Sequence, residues 1–290
     1  MIQEYSDKIT FNKLTSKQSY VKDFHLHNFY ELFLLLEGDV KFCVQQTFYH
    51  LTRGSLILIN DLEIHKAINQ KEVPYKRIYI HIPPAFFQKY NAADLDLAAC
   101  FTARHTGERN LLQLTETQIT YFVNQFTQMK ENEKGQQAGK ELLLDTYLLQ
   151  LLVFTNNLFS EPVSRPIHQH TPIVQRMMNY MEAHILDSIS LDSLAHVFSH
   201  NKYYLCHIFK EETGTTIYNY LLLLRIARAK ALLSSKKNVS EVCELAGFTN
   251  YSNFITTFKK HTGYTPKKYA SLFRQRQEPP STLSPSAVKR

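Results

Sequence analysis

The chain of 290 residues contains no tryptophan, eight glycines and only four cysteines. Cys43, Cys100, Cys206 and Cys243 lie far apart, with no Cys-x-x-Cys pair. That spacing argues against a zinc ribbon or a dithiol redox motif and suits reduced thiols in the cytoplasm. No unbroken apolar run approaches the roughly 20 residues that a membrane span needs. The opening residues, 1–10, include Glu4 and Asp7 and have no apolar core, so no secretion signal is expected there. Basic excess is missing from the first part of the chain. Residues 1–170 carry 17 Lys+Arg against 18 Asp+Glu, a net of −1, whereas residues 171–290 carry 16 against 8, a net of +8. A polyanion is the natural partner for the basic part, because neutralised phosphates release counterions. A solvated basic face with no partner would show the same charge.

What is present fits two ordinary globular domains, each with its own core. Residues 24–82 read as β structure. Glu31 to Leu36 is a short apolar run followed by a turn at Glu37-Gly38-Asp39, then Lys41-Phe42-Cys43-Val44. Ser55 to Ile59 is a second run, and Arg77 to Ile82 alternates with period two before Pro83-Pro84. Short strands at this spacing predict a sandwich or barrel. The pattern then changes to Ile119, Phe122, Val123 and Phe126, the i, i+3, i+4, i+7 rule of an amphipathic helix. Glu141 to Phe159 predicts a second helix with more apolar surface than one stripe requires, either buried internally or dimerising. Residues 160–172 hold three prolines and no periodicity, the signature of a linker. The tail from Glu278, with Pro279, Pro280 and Pro285, reads as disordered.

The basic part contains a repeat. Leu194-Ala195, Leu205, Phe209-Lys210 and Thr213-Gly214 recur as Val242-Cys243, Phe254, Phe258-Lys259 and Thr262-Gly263. The offset is 48 residues before the turn and 49 after it, one extra turn residue in the second copy. Each copy parses as two short helices. Ser190 and Asn201 are expected N-caps in the first copy, and Ser240 and Asn250 in the second, with Gly214 as a left-handed C-cap. Residues 215–233, with Ile217, Tyr220, Leu221 and Leu224 on one face, read as a connecting helix. Two helices joined by a short turn are the helix-turn-helix signature, whose second helix enters the major groove.

Residues 172–270 therefore resemble the DNA-binding domain of the AraC/XylS family of bacterial regulators. The resemblance rests on Leu191-Asp192-Ser193-Leu194-Ala195, Tyr204-Leu205, Tyr220-Leu221, Arg225-Ile226-Ala227-Arg228-Ala229, Gly247-Phe248, Phe258-Lys259-Lys260, Gly263 and Thr265-Pro266, beside the repeated positions above. It implies seven helices, two recognition helices on one DNA face, and activation with RNA polymerase as a further partner. Residues 25–69 resemble the two cupin motifs: His25, His27, Glu31 and Gly38 in the first, and Gly54, His65 and Asn69 in the second. Asn60 and Leu62 stand where a proline and a glycine are usual. The fold class expected is α+β with two domains. A cupin-like β-barrel (about 20–90) with two helices (about 115–159) fills residues 1–160, residues 161–171 link, residues 172–275 form two helix-turn-helix units joined by a long helix, and residues 276–290 are a tail.

Expected DNA contacts are Asn201, Lys202, Tyr203, Cys206, His207 and Lys210 in the first copy. In the second they are Asn250, Tyr251, Ser252, Ile255, Thr256, Lys259 and Lys260. Lysine and histidine can donate to guanine, and Ile255 or a threonine methyl can pack on a thymine methyl. Lys210, Lys259 and Lys260 suit phosphate, which positions without specifying. Arg225 and Arg228 suit helix packing or the DNA backbone. His25, His27, Glu31 and His65 are expected to line an effector site for a small polar metabolite such as a sugar. The same four could ligate a divalent metal, but sensor domains of this resemblance imply no cofactor, no metal and no enzyme activity. Lone His50, His81 and His105 read as surface or packing residues. The chain is expected to be a cytoplasmic homodimer. Two rivals are a metal-dependent cupin oxygenase or isomerase with an appended DNA-targeting domain, and an RNA-binding protein, against which the lack of an aromatic RNP-like strand argues.

Overall fold

The structure is a computed structural model that describes residues 8–16, 23–68, 74–91, 95–160, 172–235 and 237–277. The expected linker 161–171, the tail from residue 278, and Asn69 lie outside the described residues. Eight strands appear among the described residues: β1 (Thr10–Ser16), β2 (Tyr30–Glu37), β3 (Val40–Val44), β4 (Thr47–Leu51), β5 (Ser55–Ile59), β6 (His65–Ile68), β7 (Tyr75–Ile82) and β8 (Leu111–Gln113). The pairing is antiparallel in a five-stranded sheet ordered β1-β7-β2-β5-β8 and a three-stranded sheet ordered β4-β3-β6. β1 and β8 lie outside the stretch that reads as β in the sequence; both are edge strands recruited by β7 and β5.

Period-two alternation along the strands builds the layers. Phe33 and Leu35 of β2 and Ile57 and Ile59 of β5 point inward and meet Val40, Phe42, Val44, Tyr49 and Leu51 of the small sheet in one core. Their neighbours Leu32, Leu34, Leu56 and Leu58, with Ile78, Ile80 and Ile82, point the other way. They are covered by α1 (Pro84–Tyr90), α2 (Ala99–Thr102), α3 (Glu116–Lys134) and α4 (Lys140–Ser160). A capping box of Thr115 and Gln118 starts α3, whose Ile119, Phe122, Phe126 and Met129 are buried. α4 buries Leu148, Leu151, Leu152, Thr155 and Phe159, while Leu142, Leu143 and Val153 stay exposed. By length and average composition alone α4 would be long and apolar enough to cross a membrane, although it contains no unbroken apolar run of that length. Thr146, Gln150 and Thr155 interrupt its apolar run, so a search for unbroken runs passes over it. One side of it packs along α3.

The C-terminal domain has seven helices among the described residues: α5 (Pro172–Ala183), α6 (Leu191–Phe198), α7 (Lys202–Thr213), α8 (Ile217–Ser234), α9 (Val239–Leu245), α10 (Tyr251–Thr262) and α11 (Pro266–Gln277). Its core is one cluster that includes Met177, Met181, Leu194, Leu205, Phe209, Leu224, Val242, Phe254 and Phe258. The same cluster takes in Phe24, Leu26, Cys43, Phe48 and Ile64 of the barrel. Cys43 and Phe48 face each other across β3 and β4 and point away from the barrel interior, so the outer face of the small sheet is buried against the helical domain.

Candidate DNA interface and effector site

The two helix-turn-helix units repeat their end chemistry. Ser190 caps α6 in a capping box with Ser193, and the Asn201 side chain accepts from the Tyr203 amide at the start of α7. Asn250 accepts from the Asn253 amide at the start of α10. The cap of α9 is Asn238, which accepts from the Glu241 amide, and not Ser240, which lies inside its first turn. Asparagine and serine cap equally well, so sequence alone leaves a two-residue ambiguity there. Gly214 and Gly263 close α7 and α10 with φ of 68° and 80°, and their amides donate to the Lys210 and Lys259 carbonyls.

These ends orient the two second helices alike. Leu205, Phe209 and Thr213 of α7 and Phe254, Phe258 and Thr262 of α10 face the core. Tyr203 is 75% exposed and Tyr251 48% exposed, at the N-terminal ends where base edges are read. His207, Ser252 and Thr256 are also exposed, as are Lys210, Lys259 and Lys260 toward the helix C-termini. Cys206 and Ile255 occupy equivalent positions and are partly buried against the core, at the edge of the exposed face rather than on its crest. Lys202 pairs with exposed Asp192 at 2.8 Å, and His207 lies 3.7 Å from Glu211. Arg225 donates to the Ile185 and Asp187 carbonyls and Arg228 to that of Leu245. Both arginines therefore bind α8 to neighbouring segments of its own domain.

The barrel brings His27, Glu31 and His65 together, one ligand atom of each lying within 4.8 Å of the others. Glu31 points inward because it stands two residues before Phe33 on β2. Its cross-strand partner is His81 on β7, which is buried beside it and packed on Phe29, the packing rather than the surface alternative. Glu31 Oε2 lies 2.9 Å from His27 Nε2, 3.5 Å from His65 Nε2 and 3.7 Å from His81 Nε2. All four residues are under 10% exposed. Phe29 stacks between His27 and His81 at 3.8 and 4.0 Å. Burial holds the His27 imidazole at a pKa of about 3 despite its bond to Glu31, so it is neutral. Burial pushes the Glu31 carboxyl up, but nearby His81, the hydrogen bond with His27 and the approach of His65 outweigh this and hold it well below the ordinary range. His25 belongs to the neighbourhood but not to the converging set. Its backbone pairs with that of His65, and its ring lies 4.2 Å from the His65 ring.

The segments that carry these residues also grip the helical domain, a connection that sequence reasoning missed. Buried Lys230 of α8 donates through Nζ to the His27 carbonyl (2.8 Å) and to the Asp61 carbonyl, with the Asp61 carboxylate 3.8 Å away. Burial lowers the Lys230 ammonium to a pKa of about 8, opposed by Asp61. Asn28 donates to the Thr262 carbonyl at 2.9 Å, and Lys66 to the Thr213 and Gly214 carbonyls at 3.2 and 3.1 Å. The sensor segments thus hold the C-terminal ends of both second helices at equivalent repeat positions. The one available signal was a lysine at 230, in step with Ile226 and Leu233 on the buried side of α8.

The loop before His65 is fixed by a buried fork. Arg104 pairs with Glu63 at 2.5 and 2.8 Å, and Glu63 also accepts from Gly107, Asn110 and Asn60.

Comparison with known proteins agrees with this division. The AraC-like ligand binding domain family matches residues 15–152, and the Helix-turn-helix domain family matches residues 194–271. An uncharacterized HTH-type transcriptional regulator of Pseudoalteromonas carrageenovora is 39% identical over 101 residues, which are 35% of this chain and 60% of that protein. The transcriptional activator RhaS of Enterobacter sp. (strain 638) is 24% identical over 246 residues, 84% of this chain and 86% of the relative. The melibiose operon regulatory protein of Escherichia coli K12 is 23% identical over 265 residues, 88% of this chain and 85% of the relative. With a ligand-binding barrel, two capped helix-turn-helix units and relatives that align along most of its length, the chain belongs to the AraC family of transcription regulators.

Proposed function

We propose that the chain is a sequence-specific transcription activator that responds to a small polar metabolite such as a sugar and carries out no catalysis of its own. The observation that carries this reading is the grip of Asn28, Lys66 and Lys230 on the helical domain. These residues adjoin or lie beside His27, Glu31 and His65, so an occupant that shifts the cluster shifts the anchorage of both recognition helices. Coupling of this kind requires the occupant to prefer one of the two arrangements. The relatives named as an activator and as a regulator of a melibiose operon support the activator and sugar readings.

In this reading the bases are met by Asn201, Lys202, Tyr203, Cys206 and His207 of one unit. In the other unit they are met by Asn250, Tyr251, Ser252, Ile255 and Thr256. Lys210, Lys259 and Lys260 neutralise phosphates. Lys202 exchanges Asp192 for a base or phosphate on docking, an exchange that costs little because exposed ion pairs are worth about 0–1 kcal/mol. His25, His27, Glu31 and His65 contact the effector. A shallow apolar groove lined by Tyr121, Leu149, Val153 and Phe154, with exposed Leu142 and Leu143 on the same helix pair, supports a homodimer formed through α4. The protein works in the cytoplasm, with RNA polymerase as the further partner. A promoter–reporter strain fed single sugars tests the reading. Transcription that rises with one sugar and stays flat in a His65→Ala strain is expected; a chain that only represses, or ignores every sugar, contradicts it.

A further inference from the structure

Counted from their asparagine caps, α7 and α10 carry different chemistry at matching places. Lys202, Tyr203, Cys206 and His207 stand where α10 has Tyr251, Ser252, Ile255 and Thr256. Lys202 Nζ holds Asp192 Oδ1 of α6 at 2.8 Å, and the matching place in the second unit is Ser240, with no carboxylate. An ammonium has three N–H donors, so Lys202 can meet a base with or without releasing Asp192. His207 keeps most of its side chain exposed, with Glu211 3.7 Å away, beyond hydrogen-bond reach. The two side chains are five residues apart, about 7.5 Å along a helix, which is about two base steps.

From Tyr251 to Phe258, α10 carries no charged side chain. Thr256 Oγ1 donates to the Ser252 carbonyl at 3.0 Å, one turn back. Its single hydroxyl hydrogen is therefore spent within the helix, and the methyl group takes a separate staggered position on an exposed residue. Ile255, next to it, is half-buried against the domain core, which holds the side chain in place at the edge of the reading face. Two adjacent branched side chains thus offer methyl groups where the first unit offers N–H donors. Ser252 adds a hydroxyl, which both donates and accepts and so discriminates little. In the major groove guanine presents the N7 and O6 acceptor pair, and the thymine methyl group is the apolar mark.

We propose that the operator is chemically split, with Lys202 and His207 selecting guanine acceptors under α7 and Ile255 and Thr256 selecting thymine methyl groups under α10. This assignment rests on the reading of the chain as a sequence-specific regulator that meets bases with these two helices, and it adds which bases each helix selects. Lys202 and His207 address guanines about two steps apart. Ile255 and Thr256, adjacent in the chain, address one thymine or two neighbouring ones. Because the two faces differ, the chain binds one way round, its guanine and thymine segments separated by about one helical turn.

The test selects duplexes from a random pool with the purified full-length chain, with and without candidate sugars, and measures the winner by fluorescence anisotropy. Single thymines are then replaced by deoxyuridine, which lacks only the methyl group, and single guanines by 7-deazaguanine, which lacks only the N7 acceptor. Affinity is expected to fall about fourfold per methyl group read, and about fivefold or more per guanine read. Thr256→Ser keeps the hydroxyl and removes the methyl group. This variant should bind the selected duplex about fourfold more weakly and no longer distinguish thymine from uracil at one position. Its affinity for scrambled duplexes should be unchanged, whereas a folding defect would lower both. Lys202→Ala should lose its response to 7-deazaguanine at one position of the other segment. Failure to select any duplex overturns the regulator reading and this assignment with it. A selected duplex that tolerates uracil at every position, or a Thr256→Ser chain that still distinguishes the two bases throughout, overturns the assignment alone. Coupling of Lys202 to thymine or of Thr256 to guanine does the same.

Discussion

Replacing Lys230 with methionine isolates the contact between the domains. Methionine keeps most of the apolar stem and removes the ammonium, which lies 5.9 Å from the centre of the Tyr269 ring. The His27 and Asp61 carbonyls then lose a buried donor, and the Asp61 carboxylate loses its cation. Removing one partner of a buried pair costs about 3–5 kcal/mol. Counting instead two orphaned carbonyls at about 1–3 kcal/mol each gives about 2–6 kcal/mol, so two independent routes agree. Part of the loss comes from the stranded carboxylate, so adding Asp61→Asn should return about 1–2 kcal/mol, a coupling that a double-mutant cycle reads directly. Because the chain has no tryptophan, urea unfolding followed by far-ultraviolet circular dichroism is the suitable assay. A loss under about 1 kcal/mol, or strictly additive losses for the two substitutions, would refute the claim that this lysine holds the domains together.

Other perturbations have defined outcomes. Arg104→Ala strands buried Glu63 and should cost about 3–5 kcal/mol in the same urea assay, whereas Glu116→Gln, which breaks the exposed pair with Arg53, should leave the urea midpoint almost unchanged. Acid should destabilise the barrel. Between pH about 3 and 6.5 the unfolded chain protonates His27 and the folded chain does not, so stability falls as pH falls, by about 2 kcal/mol at pH 5 from this group. Glu31 acts in the same direction below its ordinary range. Thermal melts at stepped pH measure this limb, and His27→Gln should flatten it. On DNA, the pair Lys202→Ala/His207→Ala should lose more affinity than Tyr251→Ala/Thr256→Ala, since the first unit offers more charge to guanine and phosphate; a larger loss from the second pair contradicts this.

The helical domain was the more legible part, because its information is local. Caps at Ser190, Asn201 and Asn250 and apolar steps such as Leu205–Phe209 specify each unit within a dozen residues. The strand alternation of Phe33 and Leu35 likewise announced a buried face. Long-range pairing was not legible. β1 and β8 become strands only because β7 and β5 offer them an edge, and neither has a strong pattern of its own. His81 looked isolated because its partner Glu31 lies across a ladder, 50 positions earlier in the chain. Lys230 looked like one more basic residue in a basic domain, since its acceptors His27 and Asp61 belong to the other one. The candidate site was therefore read as four residues, while its connection to the DNA-binding half emerged only from the packing of the two domains.

The most direct test of the account is fluorescence anisotropy of the full-length chain on duplexes from upstream of its own and neighbouring genes, with scrambled duplexes as controls and salt titrated throughout. The account predicts tight binding to one such duplex, discrimination against its scrambled version, and a steep fall in affinity with salt as Lys210, Lys259 and Lys260 release counterions. Equal, weak binding to every duplex, with and without candidate sugars, would contradict it.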